Sequence, residues 1–271
     1  ALFFLVLESS SVELNCTNAI QYLPMFICLN EQPVFNHPYR SEFRVRREGK
    51  DFGLILEQQH STVSLKEKSQ KISQFRQVFN LKCIQPLDSE HVNGVGDIFF
   101  AEWIDISFDD LLKQRYFSRK DVFRYLSNAI QCIMDILPHK KELPFHLFGP
   151  SSILAFKQNS TVFIRSIYHD IYDQEQIKEY PDLQNLAYYL PPELNLPSVS
   201  TPWTEKQFVY AFGCMIYISV TGIHPFEEPI VKGLTFADGV ALPKFMRKDI
   251  AELVVEAMQA EPSKRPSLLE M

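Results

Sequence analysis

Apolar positions along this chain follow two periods, and one stretch has no polar face at all. Across FVYAFGCMIYISVTGIHPF, residues 208–226, the side chains of Val209, Tyr210, Phe212, Met215, Ile216, Ile218 and Val220 cover nearly the whole circumference of a helix. A helix that is apolar on every side belongs inside a domain. Gly222 tolerates the left-handed conformation that ends such a helix, and Pro225 keeps it from resuming.

Upstream the period is two. SEFRVRRE, from Ser41, alternates apolar and charged residues, Gly49-Lys50 reads as a turn, and DFGLILEQQ returns as an apolar strand. Helical spacing replaces alternation over residues 64–79, where Leu65, Ile72, Phe75, Val78 and Phe79 form a stripe. CIQPL and DIFFAEWI read as two further strands separated by a loop carrying Gly94 and Gly96. Helical periodicity resumes over 121–137, and the last helix is expected over 248–260. Residues 1–37 fit no motif; they are expected to be an extension or the edge of a preceding segment, opening on ALFFLVL as a buried strand. A small sheet with one inserted helix, followed by a mainly helical remainder, makes the class α+β.

Composition narrows the functional classes. At 271 residues, 46% hydrophobic and 22% charged, the chain has the balance of a globular protein with ample core. A net charge of −6 argues against a general nucleic-acid binder, which needs a basic surface. No apolar run approaches the roughly 20 residues of a membrane span. Cys16, Cys28, Cys83, Cys132 and Cys214 are scattered without a C-x-x-C pair, which favours free thiols and an intracellular, cytoplasmic setting over a disulfide framework or zinc site. Two sequons, Asn15-Cys16-Thr17 and Asn159-Ser160-Thr161, matter only in a secretory compartment. The non-Met start suggests a piece of a larger protein.

Three signatures in order resemble the protein kinase family. The apolar helix is similar to the central helix of the kinase C-lobe, D-V-[YW]-[AS]-[FL]-G followed by T-G-x-x-P-F, but Phe208 stands where kinases carry aspartate. Tyr189-Leu190-Pro191-Pro192-Glu193 resembles the Y-x-[AP]-P-E that closes an activation segment, and Glu261-Pro262-Ser263-Lys264-Arg265-Pro266-Ser267 resembles D-P-x-x-R-P-[ST]. IFFAEWIDISFDDLL, residues 98–112, is similar to the last N-lobe strand, hinge and first C-lobe helix, with Ala101 as gatekeeper and Glu102-Trp103 opening the hinge. The resemblance implies a bilobal protein kinase-like fold: a small β-rich N-lobe over 38–104 and a mainly helical C-lobe over 105–271. It also implies a buried structural ion pair between Glu193 and Arg265.

The same resemblance locates the catalytic parts, which kinase chemistry needs together. The glycine-rich loop, whose backbone must approach phosphates closely, has no counterpart, because no glycine precedes Gly49. The strand lysine falls on Glu57 and its partner glutamate on Lys71, so the charges are reversed; the two form an inverted pair or are solvated surface residues. In FHLFGPSSIL, residues 145–154, the catalytic aspartate falls on Leu147, the metal-binding asparagine on Ser152, and the family's arginine on His146. Leucine can neither accept a proton nor orient a hydroxyl. The metal-binding aspartate falls on Ser166, within Ser166-Ile167-Tyr168, with Asp170 four residues later. Phe208 is expected to offer an apolar contact in place of polar support for the rebuilt loop. The expectation is a pseudokinase with no catalytic residue, cofactor or metal, acting as a scaffold or allosteric regulator of a protein partner such as an active kinase. The alternative is an atypical active or nucleotide-binding transferase using Asp170 or other non-standard acids.

Overall fold

The computed structural model describes residues 25–30, 32–37, 40–57, 65–92, 96–113, 118–139, 147–159, 161–165, 179–194, 203–225 and 242–271. The class is mixed α/β, and the chain divides into two compact units, Ala1–Trp103 and Ile104–Met271.

The first unit is built on an antiparallel sheet. Its strands are β1 (Ile27–Cys28), β2 (Phe35–His37), β3 (Arg40–Arg47), β4 (Lys50–Glu57), β5 (Leu87–Val92) and β6 (Gly96–Glu102), in the order β1-β3-β4-β6-β5, with β2 also on β3. Residues 27–37, expected as an extension, thus add two strands to this sheet. The β3–β4 hairpin turns on Glu48 and Gly49, both with positive φ, and Arg47 pairs with Lys50. Two positive φ values are the signature of a type I′ turn, whose twist matches the strands it joins. The turn therefore sits one residue earlier than Gly49-Lys50. Alternation buries Phe43, Val45 and Leu54 against Phe26 and Ile98.

Two expectations need correction here. CIQPL is not a strand; the ladder runs over Leu87–Val92, in LDSEHV, which pairs with β6. This is an outer strand, held by backbone hydrogen bonds, so it carries no apolar signal. Helix α1 (Leu65–Val78) forms as expected, but its stripe is not buried throughout, since Val78 and Phe79 are 66% and 41% exposed.

Cysteine usage also departs from expectation. Cys83, Cys132 and Cys214 are buried and not disulfide-bonded, whereas Cys28 on β1 is in a disulfide. The lack of a C-x-x-C pair does not exclude a disulfide.

The second unit carries a three-stranded antiparallel sheet, β7 (Ile106–Ser107), β8 (Ile153–Ala155) and β9 (Val162–Ile164), in that order. Its helices are α2 (Phe108–Lys113), α3 (Arg119–Ile136), α4 (Pro181–Ala187), α5 (Glu205–Thr221) and α6 (Lys248–Ala257). Ser118 caps α3 by accepting the Asp121 N–H at 3.2 Å, and Val122, Tyr125, Leu126, Ala129, Ile133 and Ile136 form its buried stripe.

Helix α5 is the centre of this unit. Every residue from Gln207 to Tyr217 is buried, as its all-round apolar surface requires. Gln207 Oε1 accepts the Thr204 N–H at 2.7 Å, satisfying an otherwise orphaned donor at the helix start. Gly222, at φ +75°, closes the helix by donating to Ile218 O at 2.7 Å. At Gly213 a Cβ would lie 2.8 Å from Met258 Cγ and 2.9 Å from Ala257 Cβ, so glycine lets α6 approach the helix backbone. Among the described residues no helix is long and apolar enough to cross a membrane.

Candidate functional site

The loop resembling the kinase catalytic loop is described from Leu147 and runs into β8. Leu147 is 1% exposed and Phe148 fully buried. Phe148 is the hub of an aromatic cluster: its ring meets Phe208 at 5.0 Å, Phe212 at 5.5 Å and Trp203 at 6.0 Å, while Trp203 and Phe208 are 5.2 Å apart. The contacts with Phe148 are edge-to-face, the arrangement that favours aromatic pairs beyond their buried area. Phe208, at the position where kinases place aspartate, thus holds the loop through Phe148. Phe145 and His146 lie outside the described residues.

Gly149 follows, where the family has lysine. Its backbone is extended, so glycine is not required by conformation. Space requires it: a Cβ there would lie 2.9 Å from both Leu186 Cδ2 and Tyr189 Cδ2. Helix α4 and the Tyr189 turn are packed directly on the loop backbone. Tyr189 is 6% exposed, and burial pushes its phenol well above the ordinary range.

Ser152, at the asparagine position, is fully buried and occupied within the loop. Its Oγ accepts the Gly149 N–H at 3.2 Å, its own N–H donates to Gly149 O at 3.0 Å, and its carbonyl accepts from Arg165 N at 2.9 Å. Arg165 Nε also donates to Ser151 O at 3.2 Å. The loop is a self-bonded turn. Ser166 and Asp170 lie outside the described residues. Among the described residues no group of three His, Cys, Asp or Glu side chains could hold a metal ion.

The ion pair is fully formed. Arg265 Nη1 and Nη2 donate to Glu193 Oε1 and Oε2, each at 2.7 Å. Arg265 Nε donates to Gln259 O at 2.7 Å, Nη1 also to Lys206 O at 3.0 Å, and Nη2 also to Ala260 O at 3.2 Å. Those five bonds use all five guanidinium donors, on a side chain with no exposed surface. The guanidinium carbon lies 5.0 Å from the centre of the Tyr210 ring on α5. Lys206 Nζ in turn donates to Arg265 O at 2.6 Å and Pro266 O at 2.9 Å. Glu193 and Arg265 therefore tie the turn after α4 and the chain end to the central helix.

In the first unit Ala101 is fully buried on β6, opposite Gly53 on β4. Strand register puts Glu42, Arg44, Gly53, Ile55, Phe99 and Ala101 on one face of the sheet. Glu42 is 1% exposed, and its Oε1 occupies the space that a Cβ at Gly53 would need. Glu42, a charged position of the SEFRVRRE alternation, is buried, so this face is covered as well. Glu57 ends β4, its side chain beyond what is described, and Lys71 is exposed on α1. Gln85 Nε2 donates to the carbonyl of Glu102 at 3.0 Å, and Glu102 N–H to Pro86 O at 3.3 Å.

Comparison with known proteins gives a limited match. No protein-family model matches the chain. Over 87 residues it is 34% identical to the serine/threonine-protein kinase ppk13 of Schizosaccharomyces pombe, a stretch that is 30% of this chain and 25% of that kinase. The relationship to kinases is partial. It supports a kinase-like domain over the matched stretch, and the chain spans about a quarter of the length of that relative.

Proposed function

We propose that this chain is a bilobal, catalytically inactive protein kinase-like domain, a pseudokinase, serving as a scaffold or allosteric regulator of a protein partner. The observation that carries the reading is the condition of the loop from Leu147 to Ser152. Its would-be base is a buried leucine, its next residue is locked by Phe208, Phe212 and Trp203, and its lysine position has no room for a Cβ. Such a loop presents no group that could accept a proton from a substrate hydroxyl. Glu42, buried on the sheet face that also carries Ala101, adds a carboxylate, which repels phosphate rather than holding it. A folded core kept without its chemistry is suited to binding, and a protein partner such as an active kinase is the natural object of such a surface.

The test is phosphoryl transfer. Incubation of the purified full-length protein with labelled ATP and Mg²⁺ or Mn²⁺, alone and with peptide pools, is expected to give no incorporation above that of a heat-denatured control. Incorporation that disappears in Asp170→Asn would overturn the proposal in favour of a transferase using that acid.

A further inference from the structure

The β8–β9 connection carries one of the two sequons, and the site is built as a surface turn. Ala155 pairs with Val162, and Phe156 N–H donates to Thr161 O at 3.0 Å, so Lys157, Gln158 and Asn159 lie past the end of the β8 ladder. Lys157, Gln158, Asn159 and Thr161 are all exposed. Within the turn, Asn159 Oδ1 accepts the Thr161 N–H at 2.9 Å. That bond brings the asparagine amide beside Thr161, the residue whose hydroxyl the Asn-x-Thr pattern requires. It also draws electron density onto the amide oxygen, which acidifies the Nδ2 protons.

A second observation bears on the compartment. The expectation of an intracellular setting rested on unpaired cysteines, and Cys28 is in a disulfide. Disulfides persist in secretory and extracellular environments and are rare where glutathione keeps thiols reduced. Sequon transfer takes place in the same oxidising lumen.

We propose that Asn159 is an N-glycosylation site and that this domain matures in an oxidising secretory lumen. The co-reactant is an oligosaccharide carried on a lipid pyrophosphate. Asn159 Nδ2 forms a bond to the anomeric carbon, the bond from that carbon to the pyrophosphate oxygen breaks, the lipid pyrophosphate leaves with the electron pair, and Nδ2 gives up one proton. A glycan on this exposed turn leaves the buried faces of β8 and β9 undisturbed, as a bulky surface modification must. The inference does not depend on the catalytic reading.

The experiment uses the full-length protein isolated from its own cells. Digestion with peptide N-glycosidase in heavy-oxygen water, followed by mass spectrometry of the peptide spanning Asn159, is expected to convert that residue to heavy-labelled aspartate and to increase gel mobility. Re-expressed in the same cells, Thr161→Ala is expected to lose the Asn159 label and Thr161→Ser to keep it. Alkylation before reduction is expected to leave Cys28 unmodified. An unlabelled, unmodified Asn159 in the native protein, or a Cys28 that alkylates as a free thiol, would overturn the proposal.

Discussion

Placing the aspartate of kinases at position 208 is the sharpest probe of this loop. Phe208 is 2% exposed, with Phe148 at 5.0 Å and Trp203 at 5.2 Å. Removing a buried phenylalanine ring costs about 3–5 kcal/mol. A carboxyl left among aromatic rings without a partner adds about 1–3 kcal/mol even when protonated. The sum for Phe208→Asp, about 4–8 kcal/mol, rivals the about 5–15 kcal/mol that holds a whole domain together. Phe208→Leu, which keeps the site apolar, is expected to cost about 1–2 kcal/mol. The pH dependence separates this account from simple loss of volume. Burial raises the folded-state pKa of the new carboxyl above its unfolded value of about 4. Stability is then retained below that value and lost as pH rises toward the folded pKa. Urea unfolding followed by Trp203 emission, in a Trp103→Phe background, reads the cluster directly. If Phe208→Asp matched Phe208→Leu within about 1 kcal/mol and its deficit did not grow between pH 4 and 7, the loop would be shown to offer that carboxylate a polar partner, and the apolar account would fail.

Four further outcomes follow from the same contacts. Gly149→Ala is expected to cost about 1–3 kcal/mol in chemical denaturation through overpacking on Leu186 and Tyr189, and Gly149→Lys more; neutrality would mean the loop is not packed there. Arg265→Ala is expected to lose about 3–5 kcal/mol, and Arg265→Lys is not expected to rescue it, because three donors on a flexible stem cannot replace five in a fixed fork. Burial pushes the Cys214 thiol well above its ordinary pKa, so Cys83, Cys132 and Cys214 should resist native alkylation, and rapid labelling of Cys214 would show that α5 opens. A Glu57–Lys71 charge-exchange cycle should give a coupling below about 1 kcal/mol, since Lys71 is exposed; a larger value would establish the inverted pair.

What could be read from the sequence was whatever leaves a local trace. Helix α5 was legible because apolar residues cover all its sides and Gly222 ends it, and the turn after α4 was legible because Pro191, Pro192 and Glu193 form a compact pattern. Leu147 and Ser152 at the catalytic-loop positions were visible as residue types, and an apolar contact from Phe208 could be expected, but the residue it meets could not. Phe148 carried no signal as the partner of Phe208, because their meeting depends on how β8 and α5 pack. The burial of Glu42 left no trace, since alternation identifies two faces without saying that both are covered. The strand at Leu87–Val92 was missed because an outer strand is held by backbone bonds, not by an apolar pattern. The reach of Gly149 toward Tyr189 is a long-range fact with no period at all.

Nucleotide binding measured by thermal shift tests the central claim most directly. A ligand at about a hundred times its Kd stabilises the folded state by about 2.7 kcal/mol, which for a chain of this size raises Tm by about 5–10 °C. With ATP titrated in the presence and absence of Mg²⁺, no saturable shift is predicted. A saturable rise of that size, in either condition, would contradict it.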